Sequence, residues 1–259
     1  MTNASGLTLT VLGTGDAFAT NGHPYSCYLV EPLKKKEGET RALLIDCGPT
    51  AVPILHGMDF DLGEIDLVLL THHHGDHFAG IAFLYLNYQF MVRRETPLTV
   101  AGPPGTEEHC EKIFAANYGE TANLKKRQFE VNYIELAENR EREICGLEVL
   151  AKQVTHMRKG IPYGYRIRWK ERALGLSGDT EWDENLIELA EGTDLFLMEC
   201  LSARKNIRFH TSLKDLERES DRLHTQRLLL THMGEEVRQL ASAGKSPFEA
   251  AHDGQRIEF

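Results

Sequence analysis

Five potential metal ligands lie within six consecutive positions of the chain: His72, His73, His74, Asp76 and His77. Imidazole nitrogens and carboxylate oxygens are ligands that zinc, manganese and iron take in proteins. His72 and His74 project to the same side of an extended chain, whereas Asp76 and His77 follow where the chain turns and aim at a second point. The spacing indicates two neighbouring metal ions, with His73 turned away in a structural role. A solvated histidine-rich loop is the alternative, and the length of the H-x-H-x-D-H pattern disfavours it.

The residues on either side of this cluster predict the elements that hold it. Ile65–Leu70 is an apolar run typical of a buried strand in a parallel sheet, and Ile81–Tyr88 predicts a helix. The cluster then lies on a strand-to-helix loop at the carboxyl end of a strand. Open α/β sheets place their sites at this end.

Three more candidate ligands, His156, Asp179 and His232, each follow an apolar run that predicts a strand. A lone histidine at a strand end is more often structural, but three such positions beside the cluster indicate one shared site. We expect one metal to be bound by His72, His74 and His156, and the other by Asp76, His77 and His232. Asp179 would bridge the two ions, which would lie about 3.5–4 Å apart and activate a hydroxide.

Two further turns lie at predicted strand ends. Gly13-Thr14-Gly15 is predicted to be a turn beside the metals rather than a nucleotide-binding loop, because neither G-x-G-x-x-G nor a P-loop lysine is present. Asp46 lies at the end of the predicted strand Arg41–Cys47. It either accepts a hydrogen bond from a ligating histidine or forms the turn, and both interpretations remain open.

The same pattern, an apolar strand followed by Thr-His, occurs at Thr71-His72 and at Thr231-His232. Two halves that each present ligands on one edge predict a single two-sheet domain over residues 1–259. The remaining apolar runs predict further strands, among them Ile144–Val154, and Ser212–Leu223 predicts a charged amphipathic helix.

The composition is ordinary for a globular α/β chain of 259 residues, with 41% hydrophobic and 26% charged residues. There are 29 basic and 39 acidic residues, for a net charge of −10. An extensive nucleic-acid surface needs a basic face and is therefore disfavoured, although a local basic patch remains open. We expect no membrane span and no signal peptide, since no run approaches about 20 apolar residues and the start of the chain lacks a basic, apolar leader. Five widely spaced cysteines, none in a C-x-x-C pair, predict reduced thiols and a cytoplasmic location.

The chain resembles the metallo-β-lactamase fold superfamily of metallohydrolases in an ordered set of motifs: Thr71-His72-x-His74-x-Asp76-His77, His156, Ser177-Gly178-Asp179 and Thr231-His232. The resemblance implies an α/β fold of the αββα type. Two mixed β-sheets would pack face to face with helices outside, and the dinuclear site would lie at one edge. True β-lactamases of the superfamily commonly carry cysteine where this chain has Asp179, which argues against antibiotic hydrolysis.

Within the superfamily the chain is similar to the phosphodiesterase branch, which includes ribonuclease Z and the phosphoribosyl cyclic phosphodiesterases. Three features carry this similarity: Leu12-Gly13-Thr14-Gly15, Pro162-x-Gly164-Tyr165-Arg166-Ile167 after His156, and Glu199 with His210-Thr211-Ser212. In that branch a histidine at the spacing of His210 before His232 donates a proton to the leaving group. The resemblance implies that His210 is a general acid or a phosphate-binding group, with a surface-loop histidine as the alternative. Asp76 and His210 are therefore the candidate catalytic residues.

Two departures from that branch bear on the substrate. Only 22 residues separate His156 from Asp179, which leaves no room for the tRNA-gripping arm of ribonuclease Z, and the N-terminal cysteine cluster of some cyclic phosphodiesterases is missing. We therefore expect a metal-dependent phosphodiesterase whose partner is a small phosphoester, for example a cyclic phosphate or a cyclic nucleotide. Substrate contacts remain open for four residues: Arg158, Lys159, Arg166 and Glu199. For each of the three cations, a position facing solvent or an ion pair is favoured over a substrate contact.

Other functions remain open on the same residues. A thioester, lactone or sulfate-ester hydrolase would use the same dinuclear site. A ribonuclease Z-like RNA endonuclease would hydrolyse a phosphodiester at the same site but in a larger substrate. A non-catalytic metal-binding module would use the ligands to bind metal without catalysing a reaction. The ligand types do not choose among zinc, manganese and iron, and a homodimer is neither required nor excluded.

Overall fold

The computed structural model describes residues 6–119 and 127–259. Within these ranges the chain forms two mixed β-sheets of seven strands each. Residues 1–5, which form most of the stretch from which the absence of a signal peptide is predicted, lie outside the described residues. No helix in the two described ranges is both long and apolar enough to cross a membrane.

The first sheet is built mainly from the N-terminal half of the chain. Its strands are β1 Leu7–Gly13, β2 Cys27–Pro32, β3 Ala42–Ile45, β4 Ile65–Leu69, β5 Leu98–Gly102, β6 Val131–Glu135 and β14 Arg256–Glu258, in the order β14-β1-β2-β3-β4-β5-β6. Pairing is antiparallel from β14 to β3 and parallel from β3 to β6. Parallel neighbours need crossover connections, and helices supply three of them: α1 Ala51–Gly57, the pair α2 Gly75–Phe78 and α3 Ile81–Phe90, and α4 Thr106–Tyr118.

The second sheet repeats this arrangement with the C-terminal half. Its strands are β7 Arg142–Ile144, β8 Leu147–Gln153, β9 Tyr163–Trp169, β10 Arg172–Leu176, β11 Leu195–Glu199, β12 Leu228–Thr231 and β13 Glu249–Ala250, in the order β13-β12-β11-β10-β9-β8-β7. Pairing is antiparallel from β7 to β10 and parallel from β10 to β13. Its helices are α5 Asn185–Ala190, α6 Leu213–Glu219 and α7 Glu235–Ser242.

The two sheets face each other across a shared apolar core. Leu43 and Leu67 from the first sheet pack in one cluster with Val149 and Ile167 from the second, and each of these side chains is at most 2% exposed. The outer faces of the sheets are covered by α1, α3 and α4 on one side and by α5, α6 and α7 on the other. This four-layer arrangement confirms the predicted αββα sandwich.

Most predicted elements are present, but the structure differs from the predictions at several points, and the short strands β13 and β14 were not predicted. The predicted strand Ile144–Val154 is wrong, because β7 and β8 form a hairpin whose turn residues Cys145 and Gly146 have φ of 50° and 73°. The predicted helix over 212–223 is shorter: Ser212 caps α6 with Asp215, and residues 220–222 form a 3₁₀ turn. Helix α1 has no predicted counterpart, since its seven residues are too few for a clear helical period.

Candidate metal centre

The predicted ligands follow the carboxyl ends of four strands, which meet at one edge of the sandwich. Strand β4 leads into the ligand loop (residues 71–77), and β8, β10 and β12 lead to the other three. The structure brings together all seven predicted ligands: His72, His74, Asp76, His77, His156, Asp179 and His232. The two Thr-His motifs follow interior strands of different sheets, β4 and β12, as expected from the internal similarity.

The donor atoms of the seven ligands fall into two groups, and a third group joins His156 and Asp179 with His210. One group is His72, His74 and His156, and the other is Asp76, His77, Asp179 and His232; within each, the donors lie within 4.8 Å of one another. This is the grouping expected from the sequence. Which residue binds which ion stays a prediction.

Asp179 lies between the two groups. Its Oδ2 is 3.3 Å from Nε2 of both His77 and His232, and 3.7 Å from Nε2 of His156. The pKa of this carboxyl lies well below its usual range, because burial, which raises it, is outweighed by the surrounding histidines, above all His232. A buried, ionised carboxylate at this point is suited to bridge two cations.

Hydrogen bonds on the far side of two rings fix which nitrogen faces the site. Thr71 Oγ1 donates its proton to Asp46 Oδ2 at 2.9 Å, so His72 Nδ1–H must donate to Thr71 Oγ1 at 3.0 Å. His77 Nδ1–H donates to Asp46 Oδ2 at 2.7 Å. Both rings therefore direct the Nε2 lone pair inward, as metal-ligating histidines do.

The other two buried histidines are held in the same tautomer. Ser26 Oγ donates to the Gly15 carbonyl at 3.1 Å, which leaves it to accept from His232 Nδ1–H at 3.2 Å. His156 Nδ1–H donates to the Phe209 carbonyl at 3.0 Å. The Gly13–Gly15 segment thus lies beside the site, as predicted, and orients a ligand. It is not a turn, however: Gly13 ends β1, and Gly15 continues in bridge pairing with Tyr25 and Met233.

Several inward-facing nitrogens lack a hydrogen bond. Among the described residues, Nε2 of His72, His77 and His232 is buried without a hydrogen-bond partner, although carboxylate oxygens of Asp76 and Asp179 lie nearby. His156 Nε2 lies only 2.9 Å from His74 Nδ1, so two ring nitrogens face each other. Buried polar atoms are rarely left unsatisfied, and a set of convergent lone pairs with carboxylates fits divalent cations.

Burial keeps two of these rings ready to bind a cation. It lowers the pKa of His72 well below its usual value and lowers that of His232 to about 4, so both are neutral at pH 7. His77 behaves differently: burial lowers its pKa, but Asp179, Asp46 and Asp76 raise it well above the usual value. A metal ion would take the place of the proton that those carboxylates attract.

Close backbone packing fixes the ligand loop. Cys47 N–H donates to the His77 carbonyl at 2.6 Å, and Gly80 N–H donates to the Cys47 carbonyl at 2.8 Å. A Cβ at Gly48 would overlap the Asp76 carbonyl oxygen, so the residue must be glycine for the two loops to touch. Asp46, with φ of 59°, both turns the chain and accepts from His77, so its two alternative interpretations hold together.

His210 lies at the mouth of the site. Its Nδ1 is 2.9 Å from Glu199 Oε1, and its ring stacks parallel to that of His232 with centroids 5.6 Å apart. Burial lowers its pKa, but the hydrogen bond and charge of Glu199 raise it to about 9 overall. The structure therefore brings the predicted acid to the ligands and provides it with a carboxylate partner.

Other expectations from the sequence have mixed outcomes. His73 turns away, stacking on His109 with centroids 4.2 Å apart and bonding Thr106 Oγ1, which agrees with a structural role. Arg166 donates to the Glu188 carbonyl at 2.9 Å and so points at α5 rather than at the ligands. Arg158 and Lys159 follow His156 and are exposed.

Apart from Asp46, the residues that orient the ligands from behind were not predicted. Ser26, Phe209 and Glu181 belong to no motif. A threonine precedes both His72 and His232, but only Thr71 orients the histidine that follows it, since Thr231 Oγ1 bonds Tyr28 OH instead. Hydroxyl and backbone contacts of this kind depend on the folded structure.

The chain is similar to known proteins over nearly its whole length. The ribonuclease Z of Geobacillus kaustophilus is 28% identical, in a match covering 93% of this chain and 94% of that protein. The metallo-β-lactamase fold protein YhfI of Bacillus subtilis has a TM-score of 0.79 and 21% identity, covering 98% of this chain and 100% of that one. A diphosphatase of the PhnP family has a TM-score of 0.73 and 19% identity, covering 98% and 97%.

These likenesses confirm the metallo-β-lactamase fold and the resemblance to its phosphodiesterase branch. A family model described as anti-Pycsar protein Apyc1 matches residues 7–255, which include every candidate ligand and His210. The chain therefore belongs to the anti-Pycsar protein Apyc1 family.

Proposed function

We propose that this protein is a metal-dependent phosphodiesterase that hydrolyses a small phosphodiester, either a cyclic phosphate or a cyclic nucleotide. The observation that carries the proposal is the combination of seven convergent ligands with the Glu199–His210 pair beside them. A purely structural metal site would have no need of an acid at its mouth. The ribonuclease Z and diphosphatase names of the similar proteins support a phosphoester substrate.

Two divalent ions, either zinc, manganese or iron, would be held by these ligands. His72, His74 and His156 would hold one ion; Asp76, His77 and His232 would hold the other; and Asp179 would contact both. Such ions lower the pKa of water to give a nucleophile near neutral pH, and they withdraw charge from a phosphoryl oxygen. The inward Nε2 lone pairs and the central carboxylate are the features of this chain that suit them.

The chain's own groups supply the proton transfers. His210 Nδ1 is bonded to Glu199, so Nε2 is the ring atom that can carry a proton to the leaving-group oxygen. Glu199 also accepts from Thr180 N–H at 2.6 Å, which fixes its carboxylate behind the ring. We keep Asp76, whose side chain is 11% exposed, as the second catalytic candidate because, as a ligand, it would help to hold the ion that lowers the pKa of the attacking water.

The structure favours a small substrate. Between His156 and Asp179 the chain forms only the β9–β10 hairpin, which pairs tightly from Arg172↔Trp169 to Leu176↔Tyr165. No residue of this segment extends away to grip a large RNA. The net charge of −10 also disfavours a long polyanion.

Hydrolysis of bis(p-nitrophenyl) phosphate, followed by a panel of 2′,3′- and 3′,5′-cyclic nucleotides, tests the proposal. Protein stripped of metal should be inactive, and activity should return with manganese or zinc. Replacement of His210 by alanine should abolish turnover of the cyclic nucleotides while metal binding persists. Absence of turnover of every phosphodiester with every metal would overturn the proposal.

A ribonuclease Z-like endonuclease is the second candidate, because the similarity to ribonuclease Z extends over 93% of the chain. Precursor tRNA belongs in the same panel, and its cleavage in preference to cyclic nucleotides would favour this candidate. Thioester, lactone and sulfate-ester substrates test the remaining hydrolase alternatives. Metal binding without turnover of any of them would indicate a non-catalytic module.

A further inference from the structure

We propose that Glu181 is a positioning residue that holds His156 and His210 in place through the backbone of Phe209. The inference rests on the proposed function, since it concerns a ligand and the acid of the same site. Neither the motifs nor the resemblance assigns Glu181 a role.

Phe209 has a backbone conformation that bulky residues avoid. Its φ is 71°, in the left-handed region, where the Cβ of an L-residue crowds the following carbonyl. Such outliers persist only where the surroundings over-determine them, and they concentrate at functional sites. The neighbours of Phe209 should therefore show what holds it.

Two functional histidines depend on this conformation. The Phe209 carbonyl accepts from His156 Nδ1–H at 3.0 Å, which fixes the tautomer and direction of that ring. His210 is the next residue, so the orientation of the peptide group between Phe209 and His210 also sets the position of the His210 side chain. A return of φ to negative values would turn the carbonyl away from His156 and displace His210.

Glu181 makes the contact that opposes a change of the Phe209 φ to negative values. Its Oε1 accepts from Phe209 N–H at 2.6 Å, a short, charge-assisted hydrogen bond. Glu181 N–H donates to the Thr155 carbonyl at 2.9 Å, next to His156. Glu181 thus ties the segment before His156 to the segment before His210.

The neighbouring Thr180 anchors Glu181 from the other side. Thr180 N–H donates to Glu199 Oε1 at 2.6 Å, and the Thr180 carbonyl accepts from Thr211 Oγ1 at 2.7 Å. Three consecutive residues therefore have linked roles. Asp179 is the central ligand, the Thr180 backbone binds Glu199, and the Glu181 carboxylate holds Phe209. This arrangement couples the acid to the ligands without any direct bond between them.

Four variants test the role: E181A, E181Q, F209G and the double variant E181A/F209G. E181A should weaken metal binding and lower kcat, each on the order of tenfold, as removal of a partner behind a ligand typically does. E181Q keeps an oxygen acceptor and should remain close to wild type. Glycine adopts positive φ without cost, so the double variant should recover most of what E181A loses.

The matched control is E184A. Glu184 lies three residues further on and pairs with Arg222 at the surface, so the variant removes the same charge nearby without touching Phe209. Two readouts are measured: calorimetric titration of metal-free protein with zinc, and kcat for a phenyl ester against the matching p-nitrophenyl ester. In E181A, kcat should fall more for the phenyl ester than for the p-nitrophenyl ester, because the poorer leaving group needs the proton from His210.

The proposal is overturned if E181A matches E184A in both readouts, or if the double variant is no better than E181A. If wild-type protein hydrolyses no phosphodiester, the proposed function fails. The zinc titration still decides whether Glu181 positions His156.

Discussion

For His72 and His232, the direction of the ring nitrogens follows from the position of a single hydroxyl proton. The hydroxyls of Thr71 and Ser26 have one proton each, and both give it to an oxygen behind them. The histidines therefore donate from Nδ1 and expose Nε2, with no metal needed to explain the tautomer. A cation would enter a site that is already organised to receive it.

Replacement of Asp179 by asparagine should remove metal binding more than any other single change. The variant keeps the shape of the side chain but loses the charge that lies 3.3–3.7 Å from Nε2 of His77, His156 and His232. Since partners behind a ligand already contribute about 10–100-fold, loss of the shared ligand should lower kcat/KM by more than about 100-fold. Metal analysis after dialysis checks the cause, with D221N on the exposed surface as the matched control. Full metal content and activity in D179N would exclude a bridging role.

The pH dependence of turnover should report the Glu199–His210 pair. With its pKa raised to about 9, His210 keeps its proton at neutral pH and loses it as pH rises through about 9. The rate with a poor leaving group should fall over that range. In E199Q the charge that raises the pKa is gone, so the falling limb should move down by about 1–3 pH units. A pH–rate profile with an unchanged limb in E199Q would contradict the assignment of His210 as the acid.

The residues that carry chemistry were predictable, whereas the residues that orient them, apart from Asp46, were not. His72, His74, Asp76 and His77 form a dense local pattern. Glu181 and Phe209 are 28 positions apart and meet through one backbone hydrogen bond. No periodicity or motif records such a contact, because it depends on where two loops end after the sheets have packed.

At the scale of elements, parallel strands bring distant residues together. The apolar runs before His72 and His232 predicted strands whose carboxyl ends meet at one edge, and the structure has this arrangement. The hairpin turn at Cys145-Gly146 and the short helix α1 were missed. Both depend on local backbone choices that an apolar pattern does not encode.

The contact between two loops makes Gly48 a sensitive position. A Cβ there would overlap the carbonyl oxygen of Asp76, so G48A must push the ligand loop away from β3. We expect a loss of about 1–3 kcal/mol in unfolding free energy together with weaker metal binding. G57A is the matched control, since nothing lies near the corresponding Cβ at the end of α1. Chemical denaturation of both variants measures the difference, and equal stabilities would show that the loops can separate freely.

At the scale of the whole molecule, the metal centre joins the two sheets. Ligands come from β4 in the first sheet and from β8, β10 and β12 in the second, so bound ions would connect both. Ion binding should therefore stabilise the sandwich as well as serve catalysis.

Metal removal should lower the melting temperature. Saturation at about 100 times the dissociation constant contributes about 2.7 kcal/mol, which corresponds to roughly 5–10 °C for a chain of this size. Scanning calorimetry with and without a chelator measures the shift, and zinc added back should reverse it. D179N should show a much smaller shift; a shift of the same size in that variant would place the stabilising ion elsewhere.

The most direct test of the central claim is the rate of bis(p-nitrophenyl) phosphate hydrolysis as metal is added stepwise to metal-free protein. A dinuclear site formed by the seven ligands predicts that the rate rises until two ions are bound per chain and then levels off. Hydrolysis that is undiminished without metal, or no hydrolysis at any amount of manganese, zinc or iron, would contradict it.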